Sequence, residues 1–270
     1  VALGLITLAA LIVTVPLFLI LGTVIFRGIG ELNWTFLSHI PNGPGEPGGG
    51  MANAIGGSLM LLGLASLIGV PMGIGTGVFL AEYGRNKFGN IVRFTADVLN
   101  GVPSIVIGLT AYALVVMTQK HFSMLAGSVA LGIMMIPTIS RTTEEVLLLV
   151  PQSIREAALG LGIPKWRTIF SVVLRTASAG IITSIMLAFA RVAGETAPLM
   201  FTAFGNQYWN LNINQPTAAL PLQIFSYAVM PYDQAHAQAW TGALVLISII
   251  MITVILFRFI ASRGAVKGAQ

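Results

Sequence analysis

Residues 141–167 read RTTEEVLLLVPQSIREAALGLGIPKWR, and within them Glu156-Ala157-Ala158-Leu159-Gly160-Leu161-Gly162 is a short amphipathic stretch stranded between two long apolar runs. At about 1.5 Å per residue a helix this short cannot cross a bilayer. Pro151 divides the segment into two helical pieces. Thr142 and Glu145 have capping-box spacing for the first, Ser153 and Glu156 for the second. Ile154, Ala157, Ala158 and Leu161 recur at the i, i+3, i+4, i+7 spacing of one helical face. Gly162 supplies a residue that can take positive φ and stop the helix, and Pro164 suits the first turn of the next. On one reading Glu156 is only the cap of a linker. On the other, two small side chains, Ala157 and Ala158, let the helix seat deeply in a groove of a second protein.

The flanking sequence places this stretch between membrane spans. Of 270 residues, 56% are hydrophobic and 9% charged, and the mean hydropathy is +0.87. A soluble domain carries about 25% charged residues, so this chain cannot coat itself with a polar surface. The net charge of +5 and pI near 9.9 arise from lysines and arginines at the ends of apolar runs, where they act as topology signals rather than as a nucleic-acid patch. With no cysteine, disulfides and thiolate metal sites are excluded. Six runs are candidate spans: 2–26, 53–81, 91–117, 124–139 (the shortest), 169–193 and 240–260. The organisation expected is a first transmembrane helix in 1–28, preceded in the natural protein by a missing segment. A Gly/Pro-rich external loop follows at 29–52, then a core at 53–260 with a loop at 141–168 and an external segment at 205–239. A tail at 261–270 ends the chain.

Lys and Arg fix the orientation. Arg85, Lys87, Arg93, Arg141, Arg155, Lys165, Arg167, Arg175, Arg258, Arg263 and Lys267 fall on one side, and only Arg27 and Lys120 on the other. Positive-inside bias puts the Glu156 stretch and both termini in the cytoplasm. Gly69, Gly73 and Gly77, four residues apart in the second run, allow close helix approach. Gly73-Ile74-Gly75-Thr76-Gly77 is not a dinucleotide loop, since its third glycine comes one residue early and no strand precedes it. No Gly-Lys pair occurs, which removes a Walker A site, and no GxSxG elbow or HExxH is present. His39, His121 and His236 fall in three separate external segments, so neither catalysis nor metal binding is expected of the chain.

Ionisable residues inside a span need a reason, since a charge at a helix centre costs about 2.5–3.5 kcal/mol on insertion scales. Arg191 and Glu195 are four apart in the fifth run, followed by Thr196 and Pro198. They read either as a buried structural pair or as an anion path in which Arg191 meets the anion and Glu195 holds Arg191 in place. Pro198 is expected to end or kink that helix. Arg93 and Asp97, also four apart, read as a helix-stabilising pair, and Glu82 as the partner of a loop arginine. Tyr208, Trp209 and Trp240 read as interface anchors.

Glu-Ala-Ala, then Gly162, then Val172-Val173-Leu174 resembles the EAA loop of bacterial ABC importer permeases. The family pattern ends Ile-x-Leu-Pro, whereas Arg175 follows here. Glu82-Tyr83-Gly84-Arg85, Pro103-Ser104-Ile105-Val106, Arg141-Thr142-Thr143-Glu144 and above all Gly194-Glu195-Thr196-Ala197-Pro198-Leu199 resemble the phosphate-importer (Pst) permeases of that family. The resemblance covers about residues 53–258. It implies an all-α integral membrane protein with six transmembrane helices, in the type I ABC importer permease (MetI-like) fold, in the bacterial inner membrane. It also implies a phosphate path lined by Arg191, Glu195 and Thr196, and ATPase coupling through Ser153, Ile154, Glu156, Ala157, Ala158, Leu161 and Gly162. The partners implied are a second permease subunit (PstC-like), a cytoplasmic ATPase dimer (PstB-like) that carries ATP-Mg, and an external phosphate-binding protein (PstS-like); this chain itself holds no cofactor. A permease for molybdate or sulfate, an ion-gradient-driven anion transporter and a non-transporting membrane scaffold are the rival readings.

Overall fold

A computed structural model describes residues 2–43, 46 and 48–267. Its elements in chain order are α1 (Ala2–Gly28), α2 (Trp34–Ser38), α3 (Ala52–Tyr83), α4 (Lys87–Gly101) and α5 (Ser104–Ala111). A π-helical turn (Tyr112–Val116) joins α5 to α6 (Met117–Gln119), and α7 (Met124–Leu148) and α8 (Gln152–Gly160) follow. Next come α9 (Lys165–Thr168), a second π-helical turn (Ile169–Val173), α10 (Leu174–Thr176) and α11 (Ser178–Ala193). The chain then runs through α12 (Ala197–Met200), α13 (Leu220–Ala228) and α14 (Asp233–Lys267).

Among the described residues four helices, α1, α3, α7 and α14, are long and apolar enough to cross a membrane, and the number rises to six if each of two bent pairs counts as one span. Apolar side chains on α1 such as Leu5, Ile12 and Phe18 point outward, as a lipid-facing helix requires. The third run is not one straight helix. It breaks by 106° between Gly101 and Ser104, because Pro103 pushes Val102 out of the helical region (ψ 132°). The fifth run bends by 72° between Thr176 and Ser178.

The fourth run is longer than its hydropathy suggests. Instead of stopping at 139, α7 continues to Leu148 and carries Arg141 and Glu144 within it. Thr142 therefore caps nothing; its hydroxyl donates to the Thr138 carbonyl at 2.7 Å inside the helix. The true caps of the central helices are Asn86, which accepts from Gly89 N at 2.8 Å, and Ser123, which accepts from Ala126 N at 3.1 Å. Of the tail expected at 261–270, residues 261–267 continue α14, while Val1, residues 44, 45 and 47 of the loop, and 268–270 lie outside the described residues.

The core is built on α3 against α7, the most extensive helix pair in the fold. A Cβ on Gly69 would lie 2.7 Å from Met135 Cβ, on Gly73 2.7 Å from Ile139 Cβ, and on Gly77 2.6 Å from Thr143 Cβ. The glycine stripe is thus the contact surface itself. Gly75, between them, faces open space. Gly73→Ala is expected to destabilise the protein by about 1–3 kcal/mol through overpacking, and Gly75→Ala to stabilise it slightly, by about 0.4–1 kcal/mol. Melting temperatures of the two purified variants check this, and equal values would contradict it.

Residues 205–239 fold back on one end of this pair. Asn53 Nδ2 donates to the carbonyls of Asn206 (2.8 Å) and Gln207 (3.1 Å), and Ser58 accepts from Leu220 N at 2.7 Å. Tyr208 and Trp209 are exposed there, and Trp240 packs under the Arg27 guanidinium. At the opposite, arginine-rich end, Leu147, Val150, Val173 and Ile181 form a smaller apolar cluster beside α8.

Candidate functional site

Arg191 lies in the last turn of α11 and is exposed where α4, α7 and α11 meet. One terminal nitrogen donates to Asn100 Oδ1 and to Thr138 Oγ1, both at 3.2 Å; the other donates to the Asn100 carbonyl at 3.4 Å. Thr138 Oγ1 in turn donates to Asn100 Oδ1 at 3.1 Å. Three helices therefore meet at one guanidinium. Asn100 occupies the C-terminal turn of α4, where helix carbonyls favour a cation. A guanidinium has five N–H donors, so Arg191 keeps donors free for an anion while its orientation is fixed.

Glu195 does not hold Arg191. The helix ends at Ala193 with Gly194 as its cap, so the four-residue spacing no longer places the two on one face. Among the described residues no ion pair joins them. Thr196 and Glu195 are half-buried, with Thr196 at the start of α12. Pro198 lies in the first turn of α12, after α11 has ended, and its Cα lies 2.6 Å from where a Cβ on Gly108 would stand. That close approach seats α12 on α5.

One turn along α4 and α7 from this site runs a chain of charges. Arg93 Nε meets Glu144 at 2.6 Å, Glu144 meets Arg141 at 2.6 Å, and Arg141 Nε meets Asp97 at 2.9 Å. Arg93 and Asp97 are thus not each other's partners, as their spacing on α4 suggests; each is taken by a residue of α7. Arg93 also donates to the carbonyls of Gly84 (2.9 Å) and Leu80 (3.0 Å), closing the turn between α3 and α4.

The Glu156 stretch forms α8. Its end is a Schellman motif: Gly162 N donates to Leu159 O at 2.9 Å, Ile163 N to Ala158 O at 3.2 Å, and Gly162 has φ +78°. Its start is not a capping box, because Pro151 occupies the cap position without a side-chain bond and Ser153 lies inside the helix. The expected apolar face divides. Ala158 is buried and Ile154 half-buried against the protein, whereas Ser153, Glu156, Ala157 and Leu161 are exposed, Leu161 by 80%. Beyond α8, Trp166 and Phe170 extend the exposed apolar surface.

The sequence model of the binding-protein-dependent transport system inner membrane component family matches residues 73–265, which include α8, Asn100, Thr138 and Arg191. The chain belongs to this family. It is 43% identical to a phosphate transport system permease protein PstA of Yersinia pestis over 245 residues, covering 90% of this chain and 83% of that protein. It is 50% identical over 226 residues to the protein of the same description from Xylella fastidiosa, covering 83% and 78%. Its fold matches an inward-facing structure of the MetNI methionine ABC transporter with a TM-score of 0.61 at 19% identity, over 80% of this chain and 95% of that one. The MetI-like permease fold expected from the sequence is therefore the fold observed.

Within this permease family fold, the residues that pattern reading missed are Asn100, Thr138 and Glu144. Asn100 had a usable signal, a polar amide inside an apolar run, where such groups seek partners. Glu144 lay within the family-like string Arg141-Thr142-Thr143-Glu144 without a role being assigned to it, and Thr138 had no signal. Thr138 sits beside Pro137 near an expected helix end, and Glu144 falls in a short helical piece expected outside the membrane span.

Proposed function

We propose that this chain is the transmembrane permease subunit of an ATP-driven ABC importer of inorganic phosphate. The identity to phosphate transport system permeases over most of the chain supports the substrate. The observation that carries the mechanism is Arg191, fixed by Asn100 and Thr138 yet exposed. Phosphate oxygens match the spare guanidinium donors. Thr196 and Glu195 follow along the same path, and Glu195, unpaired with Arg191, adds a negative charge that opposes tight retention of the anion. An importer must release what it binds.

No nucleotide motif lies in this chain, so the energy comes from a partner ATPase dimer that binds ATP-Mg. Its groove receives the outward face of α8, with Glu156, Ala157 and Leu161 exposed for it. A second, related permease subunit completes the path, and an external binding protein delivers phosphate to the side opposite α8. α8 and both termini face the cytoplasm, a reading that the Lys and Arg bias supports. ATP binding then moves α8, and the α3–α7 pair rocks the Arg191 site between the two sides.

Co-purification of the tagged chain from its native membrane tests this reading. An ATPase, a second permease and a phosphate-binding protein are the partners expected; a chain recovered without any ATPase contradicts it.

A further inference from the structure

The ties between α8 and the ends of the long helices call for a role of their own. Arg155, on α8, approaches Glu82 Oε1 with Nε at 3.0 Å and Nη2 at 2.9 Å. The same guanidinium donates to the Leu147 carbonyl at 2.8 Å and to the Val150 carbonyl. The two side chains are only 13% and 7% exposed. Glu82 is the penultimate residue of α3, and Leu147 the penultimate residue of α7. At the start of α9, Lys165 Nζ donates to the Glu82 carbonyl at 2.9 Å and lies 4.1 Å from the centroid of the Tyr83 ring.

The apolar cluster of Val78, Ala81, Leu147, Val150 and Val173 reaches the end of α3, but no residue of α8 belongs to it. The packing of α8 is on α9 and the second π-helical turn, and between α8 and the end of α3 lies a cavity of about 590 Å³ walled by Glu82, Leu149, Pro151, Arg155, Lys165 and Ile169. Apolar contact across an open space transmits little. A guanidinium meeting a carboxylate has fixed directional geometry, and this pair is largely withdrawn from water, where screening is weak.

We propose that the Arg155–Glu82 pair is the strut that delivers motion of α8 to the α3–α7 pair, so that both are positioning residues for energy coupling. The inference rests on the reading of α8 as the ATPase-docking helix. Neither residue is on the exposed face that the ATPase meets, and neither touches the anion path. Downstream of Glu82 the connection is already built. The glycine stripe interlocks α3 with α7, and Thr138 of α7 grips Arg191. Displacement at Glu82 therefore reaches the guanidinium through packed elements.

The test uses the complete transporter in liposomes with its binding protein, and reads ATP hydrolysis and labelled-phosphate uptake on the same vesicles. Glu82→Gln and Arg155→Met are expected to retain the ATPase subunit and its hydrolysis, while phosphate moved per ATP falls about tenfold. Arg155→Lys, which keeps the charge, recovers part of that loss. Because the chain has no native cysteine, the double variant Glu82→Cys/Arg155→Cys supplies a folding-independent arm. Its ratio is low with free thiols and rises when a short bifunctional thiol reagent bridges them. The inference is overturned by an unchanged ratio in the single variants, by hydrolysis and the ATPase subunit being lost together with uptake, or by a bridged pair no better coupled than the free one. A wild-type complex that lacks any ATPase sinks the docking reading instead.

Discussion

Arg191→Gln lowers phosphate uptake by about a hundredfold or more, the scale seen when a preorganised charged donor is removed from a reacting or binding centre, in a transporter that still assembles. Gln is two atoms shorter and gives up these bonds, but Thr138 still donates to Asn100 at 3.1 Å, so α4 and α7 stay tied to each other. What disappears is the positive charge that a dianion needs on leaving water. Arg191→Lys separates charge from geometry. It keeps the charge but loses the planar fork held at three points, and an intermediate rate is expected. Labelled-phosphate uptake in cells that lack other phosphate importers, normalised to the amount of assembled complex, measures all three. Near-normal uptake by a well-assembled Gln variant would remove Arg191 from the path.

Glu144→Gln is expected to give the largest loss of stability. The Glu144 side chain is 4% exposed and stands between two arginines, each at 2.6 Å. Breaking a buried pair from one side costs about 3–5 kcal/mol, chiefly because the partner charge is left uncompensated. Arg93 and Arg141 are about a quarter exposed (26% and 28%), so water offsets part of this and about 2–3 kcal/mol remains. Arg93 keeps its carbonyl partners and Arg141 keeps Asp97, whose side chain is 56% exposed. Thermal unfolding in detergent reads the loss directly. Glu144→Gln and Asp97→Asn compared side by side should show a much larger drop for the first, and equal melting temperatures would contradict the assignment of Glu144 as the hub.

How much of this was legible in the sequence follows from what the sequence signals measure. Apolar run length, glycine spacing and positive charge report on a single helix or its immediate neighbour. They placed the six apolar runs, the α3 packing stripe and the isolated α8, although α7 runs on to Leu148 and α14 begins at Asp233. They also placed Gly162, because a positive φ after a short helix is a local demand. The errors arose where partners come from other helices. Hydropathy ended the fourth span at 139, since Arg141 and Glu144 look too polar for a helix that in fact neutralises them by pairing with α4. Spacing paired Arg93 with Asp97 and Arg191 with Glu195. Tertiary neighbours took Arg93 and Asp97 separately, and a glycine cap at 194 removed Glu195 from the helix. Capping-box patterns at Thr142 and Ser153 failed because continuation of α7 and Pro151 decided the helix starts.

The same contrast separates the two functional regions. The α8 segment announces itself by sequence, yet which of its side chains face outward depended on how Arg155 and Ala158 turn it against the protein. Arg191 announces itself by its cost in a membrane, yet the residues that make it a fixed donor, Asn100 and Thr138, come from 91 and 53 positions away.

On the function proposed, phosphate passes Arg191 and the driving energy is ATP hydrolysed by a partner ATPase. This is tested most directly by labelled-phosphate uptake into liposomes that hold the complete complex, with the binding protein outside, ATP inside, and sulfate or molybdate as competitors. Uptake that requires ATP, resists excess sulfate and molybdate, and disappears with Arg191→Gln is the predicted result. Uptake that proceeds without ATP, or that either competitor suppresses as well as unlabelled phosphate does, would contradict it.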